Sequence, residues 1–272
     1  MATSTLCENV LYTKAKKGRL VKTFATGLVT NPLVVQYAKN AGFDALWVEM
    51  EHSIFTVAEV SALASAGMAV GLTPIVRVPY QCGMGVVQQV LDSGAMAVLF
   101  PHICSAAAAA DAVAMCKFPP VGKRSLWIQQ AAVGLRKLPM GTLADVVNTG
   151  ASSVAVMIEA AEAIVNVDEI AAVAGVDLLM VGCMDLSTEL GIPGQIKHPD
   201  FRAALEAVSV ATRKHGKVFG VAGAYNDPEF QDWLVNTLGV RLLLVGVDAN
   251  LIAVGAVESI TRVNTIDKTV PN

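Results

Sequence analysis

The stretch Asp44-Ala45-Leu46-Trp47-Val48-Glu49-Met50-Glu51-His52 runs a short apolar segment straight into a cluster of ionisable side chains. Three further segments do the same. Thr73–Val76 (TPIV) delivers Arg77, Val154–Ile158 (VAVMI) delivers Glu159, and Asp177–Val181 (DLLMV) opens through Gly182 onto Asp185. Continuous apolar runs of this length are strands buried on both faces of a parallel sheet. A base, a cation and two carboxylates at successive strand ends are how a (β/α)8 barrel builds a site at its carboxyl face. The recurrence predicts an enzyme on that architecture.

Working outward, strands are expected near 22–27, 44–49, 73–78, 96–101, 153–159, 177–182, 217–222 and 241–246. Eight is the number that closes a barrel. Helices are expected between them, near 31–41, 56–67, 84–93, 105–116, 139–149, 162–173, 199–215, 227–238 and 248–262. Alternation of this kind makes βαβ units. The alanine tract Ala106–Ala110 belongs to one of these helices, since alanine is the best helix former. His52, Arg77 and His102 are each one strand-plus-helix step apart, and Glu159 and Asp185 are separated by a similar step. The interval from His102 to Glu159 is about twice as long, and its extra length, from Phe118 to about residue 138, is expected to be a substrate-covering loop. One domain is expected over 1–272, with an N-terminal helical extension at 1–20 and a C-terminal tail at 263–272.

Composition narrows the function classes. Residues of the AVILMFWYC set make up 54% of 272 and charged residues 16%, so a large core is available and some apolar surface is expected to meet sister subunits. The formal net charge of −3 argues against a nucleic-acid or acidic-membrane partner. The basic run Lys14, Lys16, Lys17 and Arg19 reads as a solvated helix end. Five cysteines form no C-x-x-C pair, which suits a reducing compartment. With no apolar leader and no run of membrane-spanning length, a cytoplasmic protein is expected.

Several polar residues have a chemical and a plainer reading. Glu159 and Asp185 could hold Mg²⁺ or Mn²⁺, or could cap the helices that follow. Arg77 could clamp a carboxylate or steady an enolate oxygen, or form a structural ion pair. His52 has the pKa of a proton-transfer group but is also a lone loop histidine, and His102 is a second candidate. His198 and His215 read as helix-end residues. Cys183 reads as a packed small residue, and Gly83-Met84-Gly85 lacks the rest of a dinucleotide fingerprint. The small residues Gly220–Gly223 would let a ligand approach closely, or allow tight packing.

Taken together, Glu51-His52, Val76-Arg77-Val78-Pro79, Leu91-Asp92-Ser93-Gly94-Ala95, Pro119-Pro120-x-Gly122-x-Arg124, Ile158-Glu159, Gly182-x-x-Asp185-Leu186-Ser187 and Val245-Gly246-Val247-Asp248 resemble the HpcH/HpaI aldolase family of metal-dependent class II pyruvate aldolases, over about residues 20–262. The resemblance implies a TIM barrel of the phosphoenolpyruvate/pyruvate type, its last helix exchanged between subunits of a homohexamer built as a trimer of dimers. It implies that Glu159 and Asp185 hold the metal, with Mg²⁺ expected and Mn²⁺, Co²⁺ or Zn²⁺ as the other candidates. Arg77 would contact the pyruvyl oxygens, Gly182, Met184, Asp185 and Gly223 would wall the substrate, and His52 would act in the base relay. Asp92 would orient His52 from a neighbouring subunit.

The implied reaction is cleavage or formation of a 4-hydroxy-2-oxo acid through a pyruvate enolate and an aldehyde. His102 is similar to a feature of macrophomate synthase, which makes oxaloacetate decarboxylation followed by C–C bond formation the alternative. A barrel that only binds a metabolite is the third reading. The chain departs from the family pattern at Met157, where a glutamine is usual, at Cys183-Met184, at Leu126–Gln130, and in having no tyrosine between 103 and 150.

Overall fold

A computed structural model describes residues 5–266. Eight parallel strands close on themselves in chain order, β8 pairing with β1. They are β1 (Val21–Thr26), β2 (Ala45–Glu49), β3 (Thr73–Arg77), β4 (Ala97–Phe100), β5 (Ser153–Ile158), β6 (Val176–Gly182), β7 (Val218–Ala222) and β8 (Leu242–Val247). The helices are α1 (Val10–Thr13), α2 (Val34–Asn40), α3 (Val57–Val70), α4 (Gly83–Asp92), α5 (Ala106–Cys116), α6 (Met140–Gly150), α7 (Ala161–Val165), α8 (Val167–Ala172), α9 (Cys183–Glu189), α10 (Pro199–Lys214), α11 (Pro228–Asp232) and α12 (Asp248–Asn264). All eight expected strands are present. Among the described residues, no helix is long and apolar enough to cross a membrane.

Strand parity divides the apolar residues into two layers. Ala45, Trp47, Ile75, Ala97, Leu99, Ala155, Met157, Leu178, Met180, Leu242 and Leu244 pack inside the barrel. Their neighbours Leu46, Val48, Val76, Val98, Val154, Val156, Leu179 and Leu243 pack outward beneath the helices. Because side chains alternate along a strand, the inward rows 45–47–49, 75–77 and 155–157–159 carry Glu49, Arg77 and Glu159 to the barrel mouth. The amino end is plugged by the N-terminal segment. Val10, Leu11 and Ala15 join the interior cluster, and the Asn9 amide donates to Ser153 Oγ at 2.9 Å.

Three expectations about the helices change. The predicted helix 162–173 breaks at Asn166, whose side chain donates to the Cys104 carbonyl at 2.8 Å and draws the chain toward the neighbouring loop. The predicted helix 227–238 continues from α11 as a wider π turn at Trp233–Thr237. Helix α9, one short segment directly after Gly182, has no counterpart among the predicted helices.

The long segment after α5 does not cover the cavity of its own chain. It leaves a helix rather than a strand, and α5 has already carried the chain back to the amino end. There Ala132 accepts from the Leu6 amide at 2.8 Å, and the wholly buried Arg124 reaches Asp92 at 2.5 Å and Gln130 at 2.8 Å. Gly122 permits the turn: a Cβ there would stand 2.3 Å from the Lys117 carbonyl. The first four residues, and positions 267–272 of the expected tail, lie outside the described residues.

Candidate active site

At the carboxyl end the strand ends surround a cavity of about 380 Å³. Its apolar floor is Ala25, Trp47, Met157, Ala222 and Leu244, and its rim includes Glu49, His52, Arg77, Asp185 and Tyr225. Glu49 and Arg77 sit side by side in the β2–β3 register. Arg77 Nε donates to Glu49 Oε2 at 2.6 Å, Nη1 stands 3.1 Å from Glu51 Oε2, and the guanidinium lies 5.3 Å from the Trp47 ring. Nη1 also meets Met157 Sδ at 3.5 Å. Its Nη2 makes no hydrogen bond among the described residues, so one edge of a fixed, planar cation remains for a ligand oxygen.

Glu49 organises the loop as well as the cation. Its Oε1 accepts the backbone amides of Glu51 at 2.6 Å and His52 at 3.1 Å, and Trp47 Nε1 donates to Oε2 at 3.0 Å. His52 is exposed at the mouth with Nε2 3.6 Å from Glu51 Oε2, while the Glu51 side chain is nearly buried. His102, held at φ +54°, places Nε2 3.4 Å from Glu51 Oε1 and Nδ1 3.3 Å from Glu159 Oε1. It lines an adjoining cavity of about 320 Å³ with Tyr80, Gln81 and Asp111.

Glu159 is 2% exposed. Its Oε1 accepts the His102 amide at 2.7 Å, whereas Oε2 is buried without a partner. Burial pushes its pKa up, the His102 amide and ring oppose this, and the charges of Asp185 and Glu51 push it further up. A Cβ on Gly182 would come within 2.8 Å of Oε2, so the glycine keeps the space before that oxygen open. Asp185, exposed in the first turn of α9, carries no hydrogen bond or ion pair among the described residues. Cys183 behind it is buried and its thiol is pushed up to about 12, which makes it a packing residue. Burial likewise raises Tyr225 to about 12, so its hydroxyl stays protonated.

The donor set suits a divalent ion. Glu49, Glu51, Glu159 and Asp185 bring four carboxylates toward a region with one guanidinium, and two buried carboxylate oxygens, Glu51 Oε2 and Glu159 Oε2, accept no hydrogen bond. Among the described residues no group of three or more His, Cys, Asp or Glu forms a ready metal cage. A hard cation held by one or two carboxylates needs no such cage, since water and substrate oxygens complete its shell.

Of the residues singled out from the sequence, His52, Arg77, Gly182, Met184, Asp185 and Gly223 line the main cavity, with Glu159 buried beside Gly182 and His102 against it. Asp92 is elsewhere, at the far end of α4, bonded to Arg124 and Gln130. Glu49, Trp47 and Tyr225 were not anticipated as site residues. The inward parity of 45–47–49 is the signal that identifies the first two.

The profile described as HpcH/HpaI aldolase/citrate lyase matches residues 24–234. A relative from Hapsidospora irregularis, 4-hydroxy-4-methyl-2-oxoglutarate aldolase, is 57% identical over 259 residues, spanning 95% of this chain and 96% of its own. The crystal structure of an HpcH/HpaI aldolase from Desulfitobacterium hafniense superposes with a TM-score of 0.87 at 29% identity, covering 94% and 96% of the two chains. Macrophomate synthase shares the fold, with a TM-score of 0.74 at 21% identity over 91% and 86%.

Proposed function

Since the chain belongs to the HpcH/HpaI aldolase/citrate lyase family, we propose that it is a divalent-metal-dependent carbon–carbon lyase working through a pyruvate enolate. Its substrate is a 4-hydroxy-2-oxo acid, and 4-hydroxy-4-methyl-2-oxoglutarate is the first candidate. Cleaving that acid releases two pyruvates, so the electrophilic half is a ketone rather than the aldehyde expected from the sequence. The observation that carries this reading is the partnerless buried Oε2 of Glu159 within a carboxylate-rich mouth that also contains the free Nη2 edge of Arg77.

Glu159 and Asp185 would hold the metal, Mg²⁺ in our reading. When bound, it supplies Lewis-acid stabilisation of negative charge on the pyruvyl oxygens. Arg77 binds the same end of the substrate and places fixed positive charge where the enolate oxygen grows. Its ties to Glu49 and Glu51 prevent reorientation during the reaction. His52, at the mouth, takes the C4 hydroxyl proton as the C3–C4 bond breaks, and Glu51 stabilises the imidazolium that results. Gly182, Met184 and Gly223 leave room for the substrate backbone.

The second reading, decarboxylation of oxaloacetate with subsequent bond formation, uses the same enolate. It is favoured by the contacts of His102 with both Glu159 and Glu51.

We read the chain as one barrel domain that assembles in the cytoplasm as a hexamer, a trimer of dimers. The free cysteines support the compartment. Helix α12 supports the assembly: its apolar Leu251, Ile252, Val254, Val257, Ile260 and Val263 are all 52–64% exposed on the single chain. Asp92 would serve the His52 of a neighbouring subunit.

A pyruvate-release assay on racemic 4-hydroxy-4-methyl-2-oxoglutarate, beside oxaloacetate, tests the proposal. Two pyruvates per substrate, lost in chelator and restored by Mg²⁺, is the expected result. Turnover of neither acid by metal-loaded protein would reject it.

A further inference from the structure

At the opposite end of the barrel, three segments distant in sequence bring positive charge together. Residues 16–20, 212–219 and 239–241 contain Lys16, Lys17, Arg19, Arg213, Lys214, Lys217 and Arg241, and no aspartate or glutamate. This concentration occurs in a chain whose net charge is −3. The topology explains the meeting. Lys217 and Arg241 immediately precede β7 and β8, Arg213 is in the last turn of α10, and Lys16 lies in the 3₁₀ turn that follows α1. Parallel strands start at one end, so all four side chains reach the same rim. They line a cavity of about 350 Å³ whose walls include Gly216 and Gly239.

The plainer reading is that these cations cap chain carbonyls, and Arg213, Lys217 and Arg241 do so in part. Arg213 Nη2 donates to the Thr237 carbonyl at 2.7 Å, Arg241 Nη1 to Val235 and Val240 at 2.8 Å, and Lys217 Nζ to Val173 and Val176 at 2.9 Å. Capping uses one nitrogen of each guanidinium. Nε and Nη1 of Arg213, and Nε and Nη2 of Arg241, make no hydrogen bond among the described residues. Among these four cations only Lys16 has a carboxylate partner, Asp177 at 3.1 Å. Burial lowers the Lys217 pKa and the charge of Lys16 adds to this, while Asp177 opposes it. Arg213, Lys217 and Arg241 have no carboxylate at ion-pair distance among the described residues, and cations around one concavity repel each other less once an anion joins them.

We propose that this amino-end cavity binds a small, multiply charged oxyanion, a phosphate ester or a polycarboxylate, through Arg213, Lys217, Arg241 and Lys16. Guanidinium forks bind carboxylate and phosphate oxygens in pairs, and the ammonium groups add charge without demanding geometry. The site is independent of the catalytic reading, since it shares no residue with the carboxyl-end cavity. It lies at the other ends of β7 and β8, whose Ala222 and Leu244 line that cavity.

Calorimetric titration of the full-length protein with inorganic pyrophosphate and, separately, with citrate tests the site. One saturable site per chain is expected at low ionic strength, weakening as salt screens the charges. The stronger of the two probes identifies the phosphate or the polycarboxylate class. Arg213→Gln combined with Arg241→Gln should weaken binding by about tenfold or more, as expected for losing a charge-assisted contact. Lys16→Gln leaves every helix cap in place, so it should weaken binding in a protein that still folds, as circular dichroism checks; it decides the matter if the double variant does not fold. Asp185→Asn should bind as the parent does. No saturable binding of either probe, unchanged affinity in Lys16→Gln, or loss of binding in Asp185→Asn would each overturn the proposal, the last by moving the anion to the carboxyl-end cavity.

Discussion

The His102 backbone amide donates to Glu159 Oε1 at 2.7 Å, which turns the other carboxylate oxygen toward the space beside Gly182 with no protein partner. A buried carboxylate in this state is held at a cost unless a cation completes it. Glu159→Gln should therefore reduce metal-dependent turnover by at least about 10²-fold while the barrel stays folded. Chelator should produce the same loss in the parent, reversed by Mg²⁺, and calorimetric titration with Mn²⁺ should show weakened binding in the variant. Turnover in excess chelator would remove the metal from the reaction.

Arg77 is fixed by Glu49 on one edge and Glu51 on another. A lysine cannot satisfy both and still present a donor to substrate. Arg77→Lys should lower kcat by about 10²–10³-fold for both aldol cleavage and oxaloacetate decarboxylation. Glu49→Gln should cause a smaller loss of the same kind. A rise in KM with kcat unchanged would mean that Arg77 only binds the ground state.

The role proposed for His52 is narrower. Decarboxylation forms the enolate without removing a hydroxyl proton, so His52→Ala should lose about 10²–10⁴-fold of aldol cleavage and keep most decarboxylation. Steady-state rates on the two acids measure the split. Equal losses would contradict this division.

Asp92 stands at the far end of α4 from this chain's His52, bonded to Arg124 and Gln130. If it serves a neighbouring subunit, mixing Asp92→Ala with His52→Ala protein should recover part of the lost activity. Each variant alone should remain inactive, and light scattering should find no active monomer.

Asp248 is 2% exposed and gathers the amides of Gly27, Leu28, Val29 and Ala249 together with the Thr26 hydroxyl. Burial alone would raise its pKa, but these donors outweigh it and hold the carboxyl below the usual 3.8. A depressed pKa contributes stability above the unfolded value, and that contribution disappears as pH falls through the folded one. Asp248→Asn should cost about 2–3 kcal/mol near neutrality. The gap between parent and variant should close as pH drops below about 4. Urea melts over pH 3–7 follow it; a constant gap would refute the ionic role.

The barrel was legible because buried parallel strands leave unbroken apolar runs, and those runs end in the residues that ring the mouth. Within 49–52 legibility failed: three ionisable residues lie within four positions, and only the parity of the folded strand shows that Glu49 turns inward to Arg77. The segment after Phe118 was misjudged because its end of the barrel depends on whether a strand or a helix precedes it. Lys16 was dismissed as a solvated charge for a different reason. Its companions at 213–217 and 241 lie about two hundred residues away, and only barrel closure makes them neighbours.

The bond from Thr26 to Asp248 spans 222 positions, nearly the whole chain. Contacts of such separation form late, after loop-closure entropy has been overcome. One wall of the catalytic mouth, the turn at 27–29, thus has no fixed shape until the final strand has docked. A nascent or partly folded chain can hold most of its core and still lack a working pocket, so competence is gained in one step at the seam between first strand and last helix.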